Sequence, residues 1–263
     1  MDMHKKALAL SCYICAAGAI GAFIRWLQNQ IAITDSSLYI SSPISYLLGI
    51  YIAVIFILFI RTVKSLKKVT ANEFSNFEPI FFESTRLSNT LTYLFSGMLF
   101  FGGLYLFISS HLLEEQTILF VIAILAMLSG LAVPICLNLT RIRVNLTAIS
   151  ILLLLPIALY FCWTLYTYKI NSSNPSIWSF AIEILAVTAV LLSFYYLAGF
   201  AFQRANVFTS IFFLMFASFL GIVTLADDRN FGMELILAAS VGILISFLWK
   251  IILNLGSSNI KES

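Results

Sequence analysis

Long apolar runs separated by short polar stretches make up almost the whole chain. They extend approximately over residues 6–26, 43–61, 89–110, 116–140, 145–167, 175–202, 207–226 and 231–253. Each run is long enough to cross a hydrocarbon core of about 30 Å at the helical rise of about 1.5 Å per residue. A membrane β-barrel would instead show alternating segments of roughly ten residues. The pattern predicts an all-α, polytopic transmembrane helical bundle of about eight spans, forming one transmembrane domain over residues 1–263.

The composition of the chain fits lipid, and not water, as the surrounding solvent. Hydrophobic residues make up 61% of the 263 positions and charged residues 10%, whereas a soluble domain is about half apolar and about a quarter charged. A water-soluble chain of this size could not hide so much apolar surface. The first run continues to Arg25 and Trp26, beyond the roughly 7–15 apolar residues of a secretory signal peptide. We therefore expect it to remain as the first span.

Basic residues are distributed unequally between the two ends of the predicted spans. With the amino terminus in the cytoplasm, the inner segments hold twelve of the fifteen lysines and arginines, Lys250 among them, and the outer ends hold Arg25, Lys169 and Arg229. An excess of basic residues marks the cytoplasmic side, so both chain termini are predicted to be cytoplasmic. Indole rings favour the headgroup level, and the sequence places near span ends all four tryptophans: Trp26, Trp163, Trp178 and Trp249.

The longest polar segment is the predicted cytoplasmic loop 62–88, whose 27 residues are too few to bury a core of their own. Its basic start suits anionic lipid headgroups. Phe74, Phe77 and Phe81 recur at helical spacing, which predicts a segment that lies along the membrane surface. The alternative is a docking surface for a protein partner.

Small residues and prolines indicate how the spans pack. Without water to drive association, membrane helices approach each other through small side chains, and the third span offers Gly97, Gly102 and Gly103. Pro134 and Pro156 lie within the fourth and fifth runs. Each removes a backbone hydrogen bond, and we expect a kink at each.

One carboxylate, Glu183, lies inside an apolar run. Asn174 and Pro175 predict the start of that helix, which places Glu183 about 12 Å along its axis, in the outer third of the membrane. Four ionisable residues are predicted to line an outer vestibule that binds a substrate or a cation: Arg25, Glu183, Asp227 and Glu234. The alternative is an ion pair between Arg25 and Glu183 that acts as a structural pin between the first and sixth helices.

The residues that catalytic membrane proteins need are absent from the sequence pattern. His4 and His111 both lie at span ends, so they cannot form an intramembrane haem site, and no cluster has the three or four ligands of a zinc site. All the cysteines lie in apolar runs, where we expect buried and inert side chains: Cys12, Cys15, Cys136 and Cys162. We expect no catalytic residues, no cofactor, no bound metal and no enzymatic activity.

Four stretches carry a resemblance to a known group of proteins. They are GAFIRWLQNQ at 21–30, LPIALYFCWTLYTYKINSSNP at 155–175, SFYYLAGFAF at 193–202 and IVTLAD at 222–227. The chain resembles a group of uncharacterised multi-span membrane proteins of anaerobic Gram-positive bacteria, although AITDSSLYISS after the first span departs from the acidic-Thr-Gly-Leu segment of that group. The resemblance implies a multi-pass protein of the bacterial plasma membrane with about eight helices, and it assigns no activity and no functional residue.

Two functions remain open from the sequence. The number of spans and the expected kinks favour a small-molecule permease or a transport-associated protein. The alternative is a non-catalytic membrane anchor or sensor subunit of a larger complex, docked through loop 62–88. In both cases the lipid bilayer is the predicted surrounding, and the small net charge of +3 gives no reason to expect a nucleic-acid partner.

Overall fold

The computed structural model describes residues 3–32, 43–69, 86–112, 117–142, 146–172, 177–202 and 206–257. In these ranges the chain forms eight helices: α1 (Met3–Ala32), α2 (Pro43–Val69), α3 (Arg86–Leu112), α4 (Thr117–Ile142), α5 (Leu146–Asn171), α6 (Ile177–Ala201), α7 (Val207–Thr224) and α8 (Phe231–Ser257). All of them are long and apolar enough to cross a membrane. The predicted polytopic helical bundle is therefore confirmed, while the side on which the termini lie stays a prediction.

Several helices extend beyond the apolar runs that predicted them. Residues 62–69 continue α2, and α3 already begins at Arg86, so both ends of the predicted loop 62–88 are helical. The rest of that loop, including Phe74, Phe77 and Phe81, lies outside the described residues. The fourth and fifth runs form separate helices: α4 ends at Ile142, and α5 begins at Leu146.

Five helices form a closed cycle of contacts. α3 packs against α4 and α8, α4 packs against α5, and α5 packs against α6. α6 touches α8 and so closes what we call the ring, formed by α3, α4, α5, α6 and α8. α7 covers the seam between α6 and α8, α1 packs on α7 and α8, and α2 packs on α1 and α7. Helices that are consecutive in the chain alternate in direction, so the last turns of α1, α5 and α7 lie at the same end as the first turns of α2, α6 and α8.

Glycines allow the backbones of the ring helices to approach closely. A methyl group added at Gly103 would lie 2.8 Å from the carbonyl oxygen of Ala123 in α4, and one added at Gly130 would lie 2.7 Å from the backbone nitrogen of Phe100 in α3. Gly102 packs in the same way against α8. Gly97, predicted to belong to the same seam, has no atom within 4 Å of the corresponding position.

The tryptophans and cysteines correct two expectations. Trp163 is wholly buried, and its indole nitrogen donates a hydrogen bond inside the protein, so this ring is packed between helices and is not exposed to lipid headgroups. The side chain of Trp178 lies outside the described residues. Cys136 is buried as expected, but Cys12 and Cys15 are exposed on the surface of α1. A thiol behaves as a small hydrophobe, so lipid can replace the protein core as its surroundings.

Candidate functional site

Four charged side chains form a chain of ion pairs at the end of the bundle where α1 and α7 end. Asp227 lies in the connection between α7 and α8 and contacts two arginines at once. Its Oδ1 lies 2.5 Å from Arg25 Nε, and its Oδ2 lies 2.9 Å from Arg229 Nη2. Arg229 Nε also lies 3.3 Å from Glu183 Oε1. We call Arg25, Asp227, Arg229 and Glu183 the charge network, and its two positive and two negative charges cancel.

The end of α1 is held by a further set of polar contacts. Arg25 Nη1 donates a hydrogen bond of 2.9 Å to Gln28 Oε1, and Gln28 Nε2 donates one of 3.0 Å to Ser45 Oγ in α2. Asn29 Nδ2 donates to Asp227 Oδ1 at 3.2 Å and to the carbonyl oxygen of Ala226 at 3.1 Å. The network therefore ties α1 and α2 to the connection between α7 and α8.

Glu183 connects the same network to the ring. Its Oε1 accepts hydrogen bonds from Trp163 Nε1 at 3.2 Å and from Thr167 Oγ1 at 3.4 Å, both in α5. The Trp163 ring stacks on Tyr160, with 5.7 Å between the ring centroids. Asn174 and Pro175 lie outside the described residues, and α6 begins at Ile177, so Glu183 is in its second turn. The carboxylate is thus placed between α5, α6 and the α7–α8 connection.

Local hydrogen bonds shape the short connection that carries Asp227 and Arg229. Thr224 Oγ1 donates to the carbonyl oxygen of Leu220 at 3.0 Å and closes the last turn of α7. Asn230 Oδ1 accepts from the backbone nitrogen of Gly232 at 2.9 Å and so caps the first turn of α8. With both helix ends fixed, the intervening residues have little freedom, and the side chains of Asp227 and Arg229 are directed into the bundle while Asp228 is exposed.

The charge network is largely withdrawn from solvent. The side chains of Arg25 and Arg229 are 2% and 6% exposed, and those of Asp227 and Glu183 are 11% and 17% exposed. Buried charges are tolerated only when they are paired and hydrogen-bonded, and three of the four have this support. Arg229 is the exception, because its Nε and Nη1 are buried and make no hydrogen bond within the described residues, although Nε is within ion-pair distance of Glu183.

The structure brings together three of the four residues predicted for the outer vestibule. Arg25, Glu183 and Asp227 belong to one network, but the predicted direct pair of Arg25 with Glu183 is not formed, because Asp227 and Arg229 lie between them. Glu234 is in the first turn of α8 and is half-buried, and its carboxylate makes no ion pair within the described part of the chain.

Arg229 is the residue that the sequence analysis missed. The sequence places Arg229 at the outer end of the spans without a role, and the run Asp227-Asp228-Arg229 in a short connection between two spans is the signal that could identify it. In the part of the chain that the structure describes, no group of three or more His, Cys, Asp or Glu residues could hold a metal ion. The network can therefore act through hydrogen bonds and ion pairs, and its donor without an acceptor is the Arg229 guanidinium.

The comparisons with known proteins add no relative to this picture. No protein-family model matches the chain, and no curated protein and no solved structure is similar enough to count as a match.

Proposed function

We propose that this membrane protein is a small-molecule permease of the bacterial plasma membrane, and that the charge network closes one end of its pathway. The observation that carries the proposal is the shared Asp227 carboxylate, which holds Arg25 of α1 and Arg229 of the α7–α8 connection together. Charged side chains inside membrane spans are rare and often mark the pathways of substrates and ions. A carboxylate with two arginine partners can release one of them while it keeps the other.

A gate of this kind needs two arrangements of similar free energy. In the arrangement seen here, Arg229 contacts both Asp227 and Glu183 but leaves Nη1 without an acceptor. Because Nη1 is buried in this arrangement, a polar solute would reach it only in a different arrangement of the network. The solute would then bind that second arrangement more tightly, and a ligand shifts a conformational equilibrium only through such a difference in affinity. The proposal therefore assigns to Arg229 the first contact with the solute.

Uptake into proteoliposomes tests the permease. The purified full-length chain is reconstituted, and the uptake of radiolabelled amino acids, sugars, polyols and organic acids is compared with that of protein-free vesicles. We expect at least one solute to accumulate faster with the protein, and Arg229→Gln to reduce this rate by about tenfold, as for the loss of a hydrogen bond from a charged group. Lys64→Gln is the matched control, because Lys64 is exposed near the end of α2.

The opposite result favours the alternative function. A folded wild-type chain that moves none of these solutes contradicts the permease. If such a chain copurifies from its native membrane with a second protein in fixed proportion, it is the anchor or sensor subunit that the sequence also allows.

A further inference from the structure

Lys250 is a buried lysine without a carboxylate partner in the described part of the chain. Its side chain is 0% exposed. Its ammonium donates a hydrogen bond of 3.1 Å to Thr92 Oγ1 in α3 and lies 5.2 Å from the centroid of the Phe247 ring. An ammonium group has three N–H donors, so these contacts leave hydrogen-bonding capacity unused. A charge buried in this way is unfavourable unless an anion compensates it.

The side chain of Lys250 runs toward the middle of the bundle. Ser88 Oγ donates a hydrogen bond of 3.3 Å to the carbonyl oxygen of Ser246, which places these residues of α3 and α8 at the same level. Lys250 lies one turn nearer the end of α8 than Ser246, whereas Thr92 lies one turn deeper in α3 than Ser88. Lysines near the ends of membrane helices usually extend in the other direction, toward water.

The position of Thr92 around α3 shows which side of that helix the Lys250 ammonium approaches. α3 meets α4 at Phe100 and α8 at Gly102, and these two positions lie about 160° apart around the helix. Ser96 and Thr92 lie about 40° and about 80° from Phe100, on the side toward Gly102. Gly103, which also meets α4, lies about 60° from Phe100 on the same side. Ser96 therefore faces α4, whereas Thr92 faces the angle between α4 and α8.

This interior contains hydroxyl groups with unused hydrogen-bonding capacity. Ser96 of α3, Ser129 of α4, Tyr160 of α5 and Ser240 of α8 are buried, and their hydroxyl groups have no hydrogen-bond partner within the described residues. The hydroxyls of Tyr160 and Ser240 are neighbours, but they do not reach hydrogen-bond geometry. Buried polar groups in proteins are almost always satisfied by protein, water or ligand, so four helices of the ring carry buried hydroxyl groups that could hydrogen-bond to a bound molecule.

We propose that the ring interior binds a small carboxylate, with the Lys250 ammonium as its counter-ion and the hydroxyl groups of Thr92 and Ser96 as its neutral partners. A single ammonium balances one negative charge. A phosphate dianion would call for a second cation or for the planar fork of an arginine, and no arginine contacts this ammonium within the described ranges. This inference goes beyond the permease and does not depend on it, because it concerns binding alone.

Ligand-dependent stabilisation tests the site. The melting temperature (Tm) of the purified full-length protein in detergent is measured with increasing acetate, lactate or benzoate, and with the matching amides, at constant ionic strength held by chloride. A ligand that binds only the folded state raises Tm with its concentration. We expect this for at least one carboxylate and not for its amide. We expect Lys250→Met to weaken the half-saturating concentration about tenfold or more, and Thr92→Val to weaken it several-fold.

Two variants separate a lost site from a lost fold. Lys250→Met removes an uncompensated buried charge and keeps an unbranched side chain, so without ligand its Tm should equal or exceed that of the wild type. Lys64→Met makes the same exchange on the exposed surface of α2 and should bind as the wild type does. A wild type that no carboxylate stabilises, or a Lys250→Met protein that responds as the wild type does, overturns the proposal.

Binding without solute uptake contradicts only the permease, and uptake without carboxylate binding contradicts only this site.

Discussion

Asp227 is the residue on which the charge network depends most. Each of its carboxylate oxygens contacts a different arginine, and Asn29 donates a further hydrogen bond to Oδ1. The neighbouring Asp228 is exposed and belongs to none of these contacts. Of two aspartates at adjacent positions, one is therefore largely buried and paired, and the other is exposed and outside the charge network.

This contrast gives a matched pair of substitutions. Asp227→Asn leaves two buried guanidinium groups with less compensation, and breaking a buried ion pair costs about 3–5 kcal/mol. Asp228→Asn should change the free energy of unfolding by no more than about 0.5 kcal/mol, as is usual at exposed positions. Unfolding of the purified protein in mixed micelles by a denaturing detergent measures both. Equal losses for the two variants would contradict the central position of Asp227.

The sequence predicted the members of the charge network better than their pairing. Arg25, Glu183 and Asp227 could be placed at one end of the bundle because consecutive spans alternate in direction. The pairing depends on how each helix is rotated about its axis and on the path of the α7–α8 connection, and neither follows from hydrophobic periodicity. For this reason Arg229, in the connection itself, received no role.

At the scale of the elements, α3 is held between two neighbours by close backbone contacts. It meets α4 at Gly103 and, across the interface, at Gly130, and it meets α8 at Gly102. In lipid such contacts must supply much of the association energy, because apolar burial does not favour helix pairing there. The loss of unfolding free energy caused by a larger side chain at such a contact therefore tests whether the interface has the geometry described.

Two glycine substitutions make this test. A methyl group at position 130 would lie 2.7 Å from the Phe100 nitrogen and 2.9 Å from its Cα, both backbone atoms. We expect Gly130→Ala to lower the free energy of unfolding by about 1–3 kcal/mol, the usual effect of overpacking. Gly97→Ala meets no neighbouring atom within 4 Å and should leave stability unchanged or raise it by up to about 1 kcal/mol, because alanine is the better helix former. A destabilising Gly97→Ala would contradict the packing.

The helix limits show where a hydropathy pattern stops being informative. The second apolar run ends at Arg61, yet α2 continues to Val69 through Lys64, Lys67 and Lys68. Lysine is a good helix former, and backbone hydrogen bonding does not end where the membrane does. Apolar runs locate the part of a helix that lipid or protein must cover, whereas the full helix also includes turns that water can solvate.

At the scale of the whole molecule, the structure changes the count of charges that orients the bundle. Lys250 was counted among the twelve inner basic residues, but it is buried within α8 and belongs to no loop. At the other end, Arg25 and Arg229 are engaged in ion pairs with carboxylates. Without Lys250, eleven of the twelve basic residues remain at the inner end. At the opposite end, Lys169 is the one basic side chain that is exposed among the described residues. The asymmetry that predicts cytoplasmic termini is therefore kept.

Labelling of single cysteines tests this orientation. Asp228 and Lys64 are both exposed and lie at opposite ends of the bundle, so Asp228→Cys and Lys64→Cys are prepared in a chain whose four native cysteines are replaced by alanine. A membrane-impermeant maleimide added to intact cells should label Asp228→Cys and not Lys64→Cys, and detergent lysis should make both reactive. If intact cells show the reverse pattern, the termini are external. The charge network would then close the cytoplasmic end of the bundle, and solute arriving from outside would first meet the end at which Lys250 is buried.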